Sequence, residues 1–183
     1  MTIESGERSR SHGLSLAVLE AQADAVGIPI RFQAGSWNEY ESRFRENLKE
    51  MCSRQISWGV FGAIDFDENR EWIKSVCLAE GVSPAIPLWK EDRTKLLKEF
   101  LERGFRAELV AVKDGVLSPD LLGRELDARL ISELESQGVD LSGETGEYHT
   151  VVVDGPLFRS RLKTQHGKRV IKDGYWFSDV SLC

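Results

Sequence analysis

The residues best suited to chemistry form the stretch Gly143-Glu144-Thr145-Gly146-Glu147-Tyr148-His149-Thr150, which runs directly into Val151-Val152-Val153-Asp154-Gly155-Pro156. In an extended chain residues two apart share a face, so Glu147 and His149 project together beside a turn that the glycines permit. A carboxylate next to an imidazole can move protons, bind an amine or ligate a metal. The same pattern also describes a charged hairpin corner on the solvent face of an antiparallel strand. A third metal ligand at suitable spacing is missing from the pattern, which disfavours a metal-dependent hydrolase built on Glu147 and His149. No metal site is expected.

Other candidates carry weaker signals. His12 precedes a helical stretch and could approach a nucleotide, or it could cap the helix. Arg70 could reach a phosphate, or it is one more solvated charge in Asp67-Glu68-Asn69-Arg70-Glu71. Arg124 lies close to Glu125 and Asp127, where a surface ion pair is the simpler account. Asp154-Gly155-Pro156 reads first as a tight turn.

Such residues need a scaffold, and 183 residues are enough to bury a substantial core. A hydrophobic content of 41% with 30% charged residues is globular rather than fibrous or disordered. The net charge of −6 argues against a general nucleic-acid or anionic-membrane partner. A local basic patch from Arg8, Arg10, Arg159, Arg161, Lys163, Lys168, Arg169 and Lys172 stays open. No apolar run reaches the roughly 20 residues a bilayer needs, and the N-terminus lacks the apolar core of a signal peptide. Cys52, Cys77 and Cys183 are widely spaced with no CxxC, which fits incidental thiols in a reducing cytoplasm.

The expected elements alternate. Residues 1–13 read as a loop or frayed arm, followed by a helix through Leu14, Val18, Ala21 and Ala25 that Gly27 stops. Residues 28–32 read as a strand, and Trp37, Tyr40, Phe44, Leu48 and Met51 form a helical core stripe. A strand over 57–62, a helix through Trp72, Ile73, Val76 and Cys77, and a strand over 85–89 complete the first half. In the second half Asp92 caps a helix that ends at Gly104, and 105–112 alternates as a strand. Ser118-Pro119 opens a helix through Leu122, Leu126, Leu130 and Leu134. Strands follow over 147–153 and 157–162. The last is a hairpin, 168–172 with 175–180, turning at Asp173-Gly174. Alternation up to Trp89 implies a mostly parallel α/β sheet. A doubly wound sheet normally opens on a strand whose turn into a helix cradles phosphate, and that opening unit is not visible.

With this pattern in view, the chain resembles the diphthine–ammonia ligase family, a branch of the PP-loop (N-type) ATP pyrophosphatases. The resemblance runs from about Ser9 to the C-terminus. Ser11-His12-Gly13, Glu20-Ala21-Gln22-Ala23, Gly27-Ile28-Pro29, Val60-Phe61-Gly62, Arg70, Pro87-Leu88-Trp89 and Gly104-Phe105 carry its first part. Leu122-Gly123-Arg124-Glu125-Leu126-Asp127, the block 143–150, and Asp154-Gly155-Pro156-Leu157-Phe158 carry the rest. Single pieces are common; their order, together with the Gly-Glu-x-Gly-Glu-Tyr-His-Thr block, is specific.

The resemblance implies a Rossmann-like, HUP-type ATP-binding domain over 1–90, lacking its first βα unit, and a smaller α+β substrate domain over 91–183. It implies an ATP-dependent ligase of the cytoplasm, with Mg2+ accompanying ATP. A substrate carboxylate, small or protein-borne, attacks the α-phosphate to give an acyl-adenylate and pyrophosphate, and ammonia then displaces AMP. By position, Glu144, Glu147 and His149 take the catalytic roles, and His12, Gly13, Gly62, Ile64 and Arg70 line the nucleotide. The two sets would face a cleft between the halves. Two departures stand out. The family's Ser-Gly-Gly-x-Asp-Ser phosphate loop is absent, and Ser5-Gly6-Glu7-Arg8-Ser9 is a decoy for it. Ala63 stands where the family has Asp, with Asp65 a candidate substitute. The expectation is a truncated start and no ATP turnover. The alternative is a non-catalytic binding or regulatory paralogue that keeps the substrate pocket, with a homo-oligomer covering the open sheet edge as one form of it.

Overall fold

The computed structural model describes residues 2–4, 8–9 and 11–183, and the decoy loop therefore lies largely outside the described residues. Strands β1 (Thr2–Glu4) and β2 (Arg8–Ser9) stand where a loop was expected. They pair antiparallel, and β1 also pairs in parallel with β3 (Gln33–Ala34). Between them, α1 (Leu16–Val26) begins at Ser15, whose hydroxyl accepts from the Val18 amide, and ends at Gly27 with φ 75°. The expected strand at 28–32 does not form. The Ile28 amide is already spent on the Ala23 carbonyl, closing the helix end, and Pro29 has no amide to donate.

By contacts the chain divides into two compact units, Gly35–Lys95 and a second made of Met1–Ala34 with Leu96–Cys183. The first unit holds α2 (Tyr40–Ser53), β4 (Trp58–Val60), α3 (Asp67–Ala79) and β5 (Ser83–Ala85). β4 and β5 are parallel neighbours joined through α3, the βαβ arrangement that the alternation predicts. Leu48, Ile73, Val76, Cys77 and Val82 form its core, with Phe44 of the aromatic stripe and Trp72 of α3 packed against them, while Trp37 and Met51 at the ends of that stripe are exposed rather than core. Pairing stops at Ala85 rather than running to Trp89, because residues 86–90 turn back and the Trp89 amide donates to Ile86 O.

The second unit is built on an antiparallel sheet. After α4 (Arg93–Glu102), whose Lys95 amide is capped by Asp92, come β6 (Arg106–Lys113), α5 (Ala128–Ser136), β7 (Tyr148–Asp154), β8 (Thr164–Lys172) and β9 (Tyr175–Leu182). The sheet order is β7-β6-β9-β8. Helix α1 covers one face: Leu14, Val18 and Leu19 meet Val110, Val151, Val153 and Val180. Leu121, Leu122, Leu126, Leu130 and Leu134 cover the other, over Ala107, Leu109, Val112 and Tyr148. Leu109 to Val112 are consequently buried on both sides, each 0% exposed, the burial pattern of a central strand.

The helix expected from Ser118 through Leu134 is broken. Pro119–Leu121 makes one 3-10 turn, and Gly123 has φ 84°. Residues 123–126 then run alongside β6, with Leu109 N donating to Arg124 O and Leu126 N to Ala107 O. Leucines four apart therefore reach the core by sheet-like pairing, and only then does Asp127 cap α5 by accepting from Leu130 N. The expected strand at 157–162 is also replaced by a turn: Phe158 N donates to Gly155 O, and Arg159 N donates to Ala25 O at the end of α1. The last hairpin forms as read, with Asp173 and Gly174 both at positive φ (50° and 80°). The architecture is thus mixed α/β, with small parallel pairings and a separate antiparallel C-terminal sheet.

Candidate functional site

The Gly143–His149 block occupies the corner where the chain enters β7. Asp140 organises the approach: one carboxylate oxygen accepts from the Ser142 amide and hydroxyl, and the other accepts from the Glu144 amide at 3.0 Å. Gly143 and Gly146 sit at φ 67° and 85°, which explains both glycines. The two ends of the loop are fastened by phenols from neighbouring strands. Tyr148 donates to Leu141 O at 2.5 Å, and Tyr175 donates to Gly146 O at 2.7 Å. The Glu147 carbonyl accepts from Lys113 N at 2.8 Å, carrying the β6–β7 ladder one residue past the strand.

Register determines what shares the face. Ala111 lies opposite His149 on one side and Phe177 on the other, and Lys113 lies opposite Tyr175. His149 therefore stands on the face that α1 covers, and its ring lies 5.8 Å from that of Tyr175. The turn into α1 brings His12 to the same place. Gly13 N donates to Ser9 O, Leu14 N to the buried Ser9 hydroxyl, and Arg8 to Gly13 O while its guanidinium also pairs with Asp179 at 2.6 Å. A Cβ on Gly13 would lie 2.9 Å from the Phe177 ring, so the glycine lets the turn sit directly on β9. The His12 and His149 rings meet edge to face at 5.2 Å.

Electrostatics follow from this burial. Desolvation, and then the neighbouring His149, push His12 down to about 4. Desolvation also lowers His149. At neutral pH the pair is two uncharged imidazoles. Glu147 places one carboxylate oxygen against the Thr145 hydroxyl in a short contact. Its other oxygen is buried with no hydrogen-bond partner, and so is Nδ1 of His12. Buried polar atoms without partners are uncommon and call for an explanation.

Of the residues singled out from the sequence, His12 and His149 meet, with Gly13 beside His12 in the turn and Glu147 two residues before His149; all lie in one compact unit, and Glu144 is exposed on the loop. Gly62, Ile64 and Arg70 belong to the other unit. There Ile64 is buried, and a Cβ on Gly62 would meet nothing within 4 Å. The Arg70 guanidinium lies 4.8 Å from the Trp89 ring centroid and pairs with Glu71 at 3.5 Å. Asp65, the candidate substitute at the departure after Gly62, is gripped by both Nε and Nη2 of Arg93, which holds its carboxyl below the ordinary value. Lys90 faces Asp67 at 3.6 Å. Cations here are engaged by carboxylates. Among the described residues no group of three side chains could hold a metal ion.

Tyr175 is the participant the sequence did not flag, since it was visible only as one residue of a hairpin arm. A second polar cluster was also unforeseen. His166 bridges Ser178 (2.9 Å) and Glu108 (3.0 Å), and Thr164 donates to the same Glu108 oxygen. Ser178 is 3% exposed, so this cluster ties β8 and β9 to β6 rather than meeting a ligand.

Comparison with known proteins returns two domain profiles. The profile of the Diphthamide synthase N-terminal domain matches residues 1–84, and that of the Diphthamide synthase C-terminal domain matches 92–183. A protein named diphthine–ammonia ligase from Danio rerio is 34% identical over 173 residues, covering 92% of this chain and 68% of the relative. The protein of that name from Homo sapiens is 32% identical over 141 residues, covering 74% of this chain and 53% of its own length. One from Schizosaccharomyces pombe is 33% identical over 104 residues, 17% of its length. The chain thus spans about half the length of the human relative. On these matches, and on a corner assembled from the residues that carry the resemblance, the chain belongs to the diphthamide synthase family of diphthine–ammonia ligases.

Proposed function

We propose that this chain carries the acceptor side of an ATP-dependent, amide-forming carboxylate–ammonia ligase, and that the His12–Glu147–His149 corner receives the ammonia nitrogen as ammonium. The observation that carries this reading is the buried Glu147 oxygen without a donor, two residues along the strand from His149, whose ring meets that of His12. A small cation bearing several N–H groups satisfies that oxygen and can give a further hydrogen bond to a neutral imidazole nitrogen. A carboxylate with an unsatisfied oxygen also attracts the proton that the nitrogen sheds before it can attack an acyl carbon. Glu144, on the exposed side of the loop, is placed to steer the incoming acceptor, small or protein-borne.

In this reading the unit with the antiparallel sheet holds the acceptor, and Gly62, Ile64 and Arg70, in the other unit, are the nucleotide-side residues that family membership implies. ATP with Mg2+ is what membership of the family implies, and the setting is cytoplasmic. The 183 residues contain no Ser-Gly-Gly-x-Asp-Ser segment. This chain alone is accordingly expected to release no AMP from ATP, and robust AMP release would count against the reading. The same fact, with the paired cations around Arg70, Lys90 and Arg93, favours as second reading a binding or regulatory protein that keeps the pocket.

The test is a titration of the histidine ring signals by NMR with ammonium chloride, against sodium chloride at equal ionic strength. Saturable shifts of His12 and His149 with ammonium alone are expected, and Glu147→Gln should remove them while the fold persists. Identical responses to the two salts would rule out the ammonium site.

A further inference from the structure

The corner depends on a third segment that neither the sequence pattern nor the family motif marks. Tyr175 opens β9 at the tip of the final hairpin, and its side chain makes two different contacts with the site. Its hydroxyl donates to the Gly146 carbonyl at 2.7 Å, and its ring lies 5.8 Å from that of His149. The same ring is 6.2 Å from Phe177, the ring on which Gly13 is seated. Gly146 has φ 85°, and a Cβ there would be 3.1 Å from the Tyr175 oxygen. The hairpin that presents Tyr175 is itself anchored: Asp114 N donates to Gly174 O at 2.9 Å, and the Trp176 indole donates to the Asp114 carboxylate at 2.8 Å.

We infer that Tyr175 is the positioning residue of the corner, setting through the Gly146 carbonyl and the His149 ring where Glu147 and His149 stand relative to one another. The physical reason lies in the backbone. Gly146 immediately precedes Glu147 and has no side chain to restrict it, so its carbonyl orientation decides where the Glu147 carboxylate points. Within the loop the Gly146 amide is held by Gly143 O, a bond internal to the turn. The phenol is the contact that ties the Gly146 carbonyl to the sheet. Tyr148 fastens the other shoulder at Leu141, so the loop is held from both ends while its middle residues stay exposed.

This inference rests on the ammonium reading for its purpose but not for its geometry, and the experiment separates the two. In the full chain, Tyr175→Phe removes only the hydroxyl and Tyr175→Leu removes the ring as well. The hydroxyl variant is expected to shift the amide signals of Gly146 and Glu147 and to weaken ammonium binding about tenfold, the loss of one hydrogen bond's net contribution. The ring variant is expected also to raise the His149 titration midpoint toward its ordinary value, with the His166 signals unmoved as the internal control. A merely structural tyrosine would lower the melting temperature without selecting those signals. Unchanged Gly146 and Glu147 amides in Tyr175→Phe, with an unchanged His149 midpoint in Tyr175→Leu, would overturn the inference. If the wild-type chain ignores ammonium while both variants still move these signals, the positioning role stands and the ligase reading falls.

Discussion

Two uncharged imidazoles in edge contact make the corner sensitive to acid. His12 takes up its proton only near pH 4 when folded, but near 6.5 when the chain is unfolded. The unfolded state therefore binds more protons between those values, so the stability present above pH 6.5 is lost as pH falls toward 4. The loss from His12 is at most about 3 kcal/mol, from the size of the displacement. His12→Gln should flatten that limb of a stability-versus-pH curve measured by urea unfolding, and a limb of unchanged slope would assign the acid sensitivity elsewhere. The face that His149 occupies was legible because a strand alternates its faces. Its meeting with His12 was not, since it depends on how the turn at Gly13 sits on Phe177, more than 160 residues along the chain. Tyr175 was opaque for a similar reason. A phenol bound to a backbone carbonyl leaves no trace in residue spacing.

Helices and strands whose ends carry their own chemistry were the readable ones. Gly27, Asp92 and the Asp173-Gly174 turn each announced a boundary that the structure keeps. Misreadings occurred where an apolar pattern fitted two geometries. Leu122, Leu126, Leu130 and Leu134 repeat at the helical interval, yet Gly123 and the pairing with β6 divide them between an edge segment and α5. All four remain core residues, so the burial was right although the element was wrong. Leu134, with no exposed surface under the sheet, anchors α5. Leu134→Ala is expected to cost about 2–5 kcal/mol through the cavity it leaves. Thermal unfolding measures it, and a loss below about 1 kcal/mol would mean that the helix collapses to fill the space.

At the scale of the molecule, two cores are built from interleaved stretches of chain. Residues 35–95 enclose their own core, whereas α1, translated earlier, has its partners on β6, β7 and β9. Contacts so distant in sequence form late, because the loop must close before they contribute. Pulsed hydrogen exchange during refolding should therefore show amides of α3 protected before those of α1, and simultaneous protection would contradict this order. The bond from the Arg159 amide to the Ala25 carbonyl makes the consequence concrete. On the ribosome the opening helix is complete long before the residue that fastens its tail exists. Until then its Val18 and Leu19 surface lacks the sheet it covers in the folded chain, and an apolar face left open in this way is prone to aggregate.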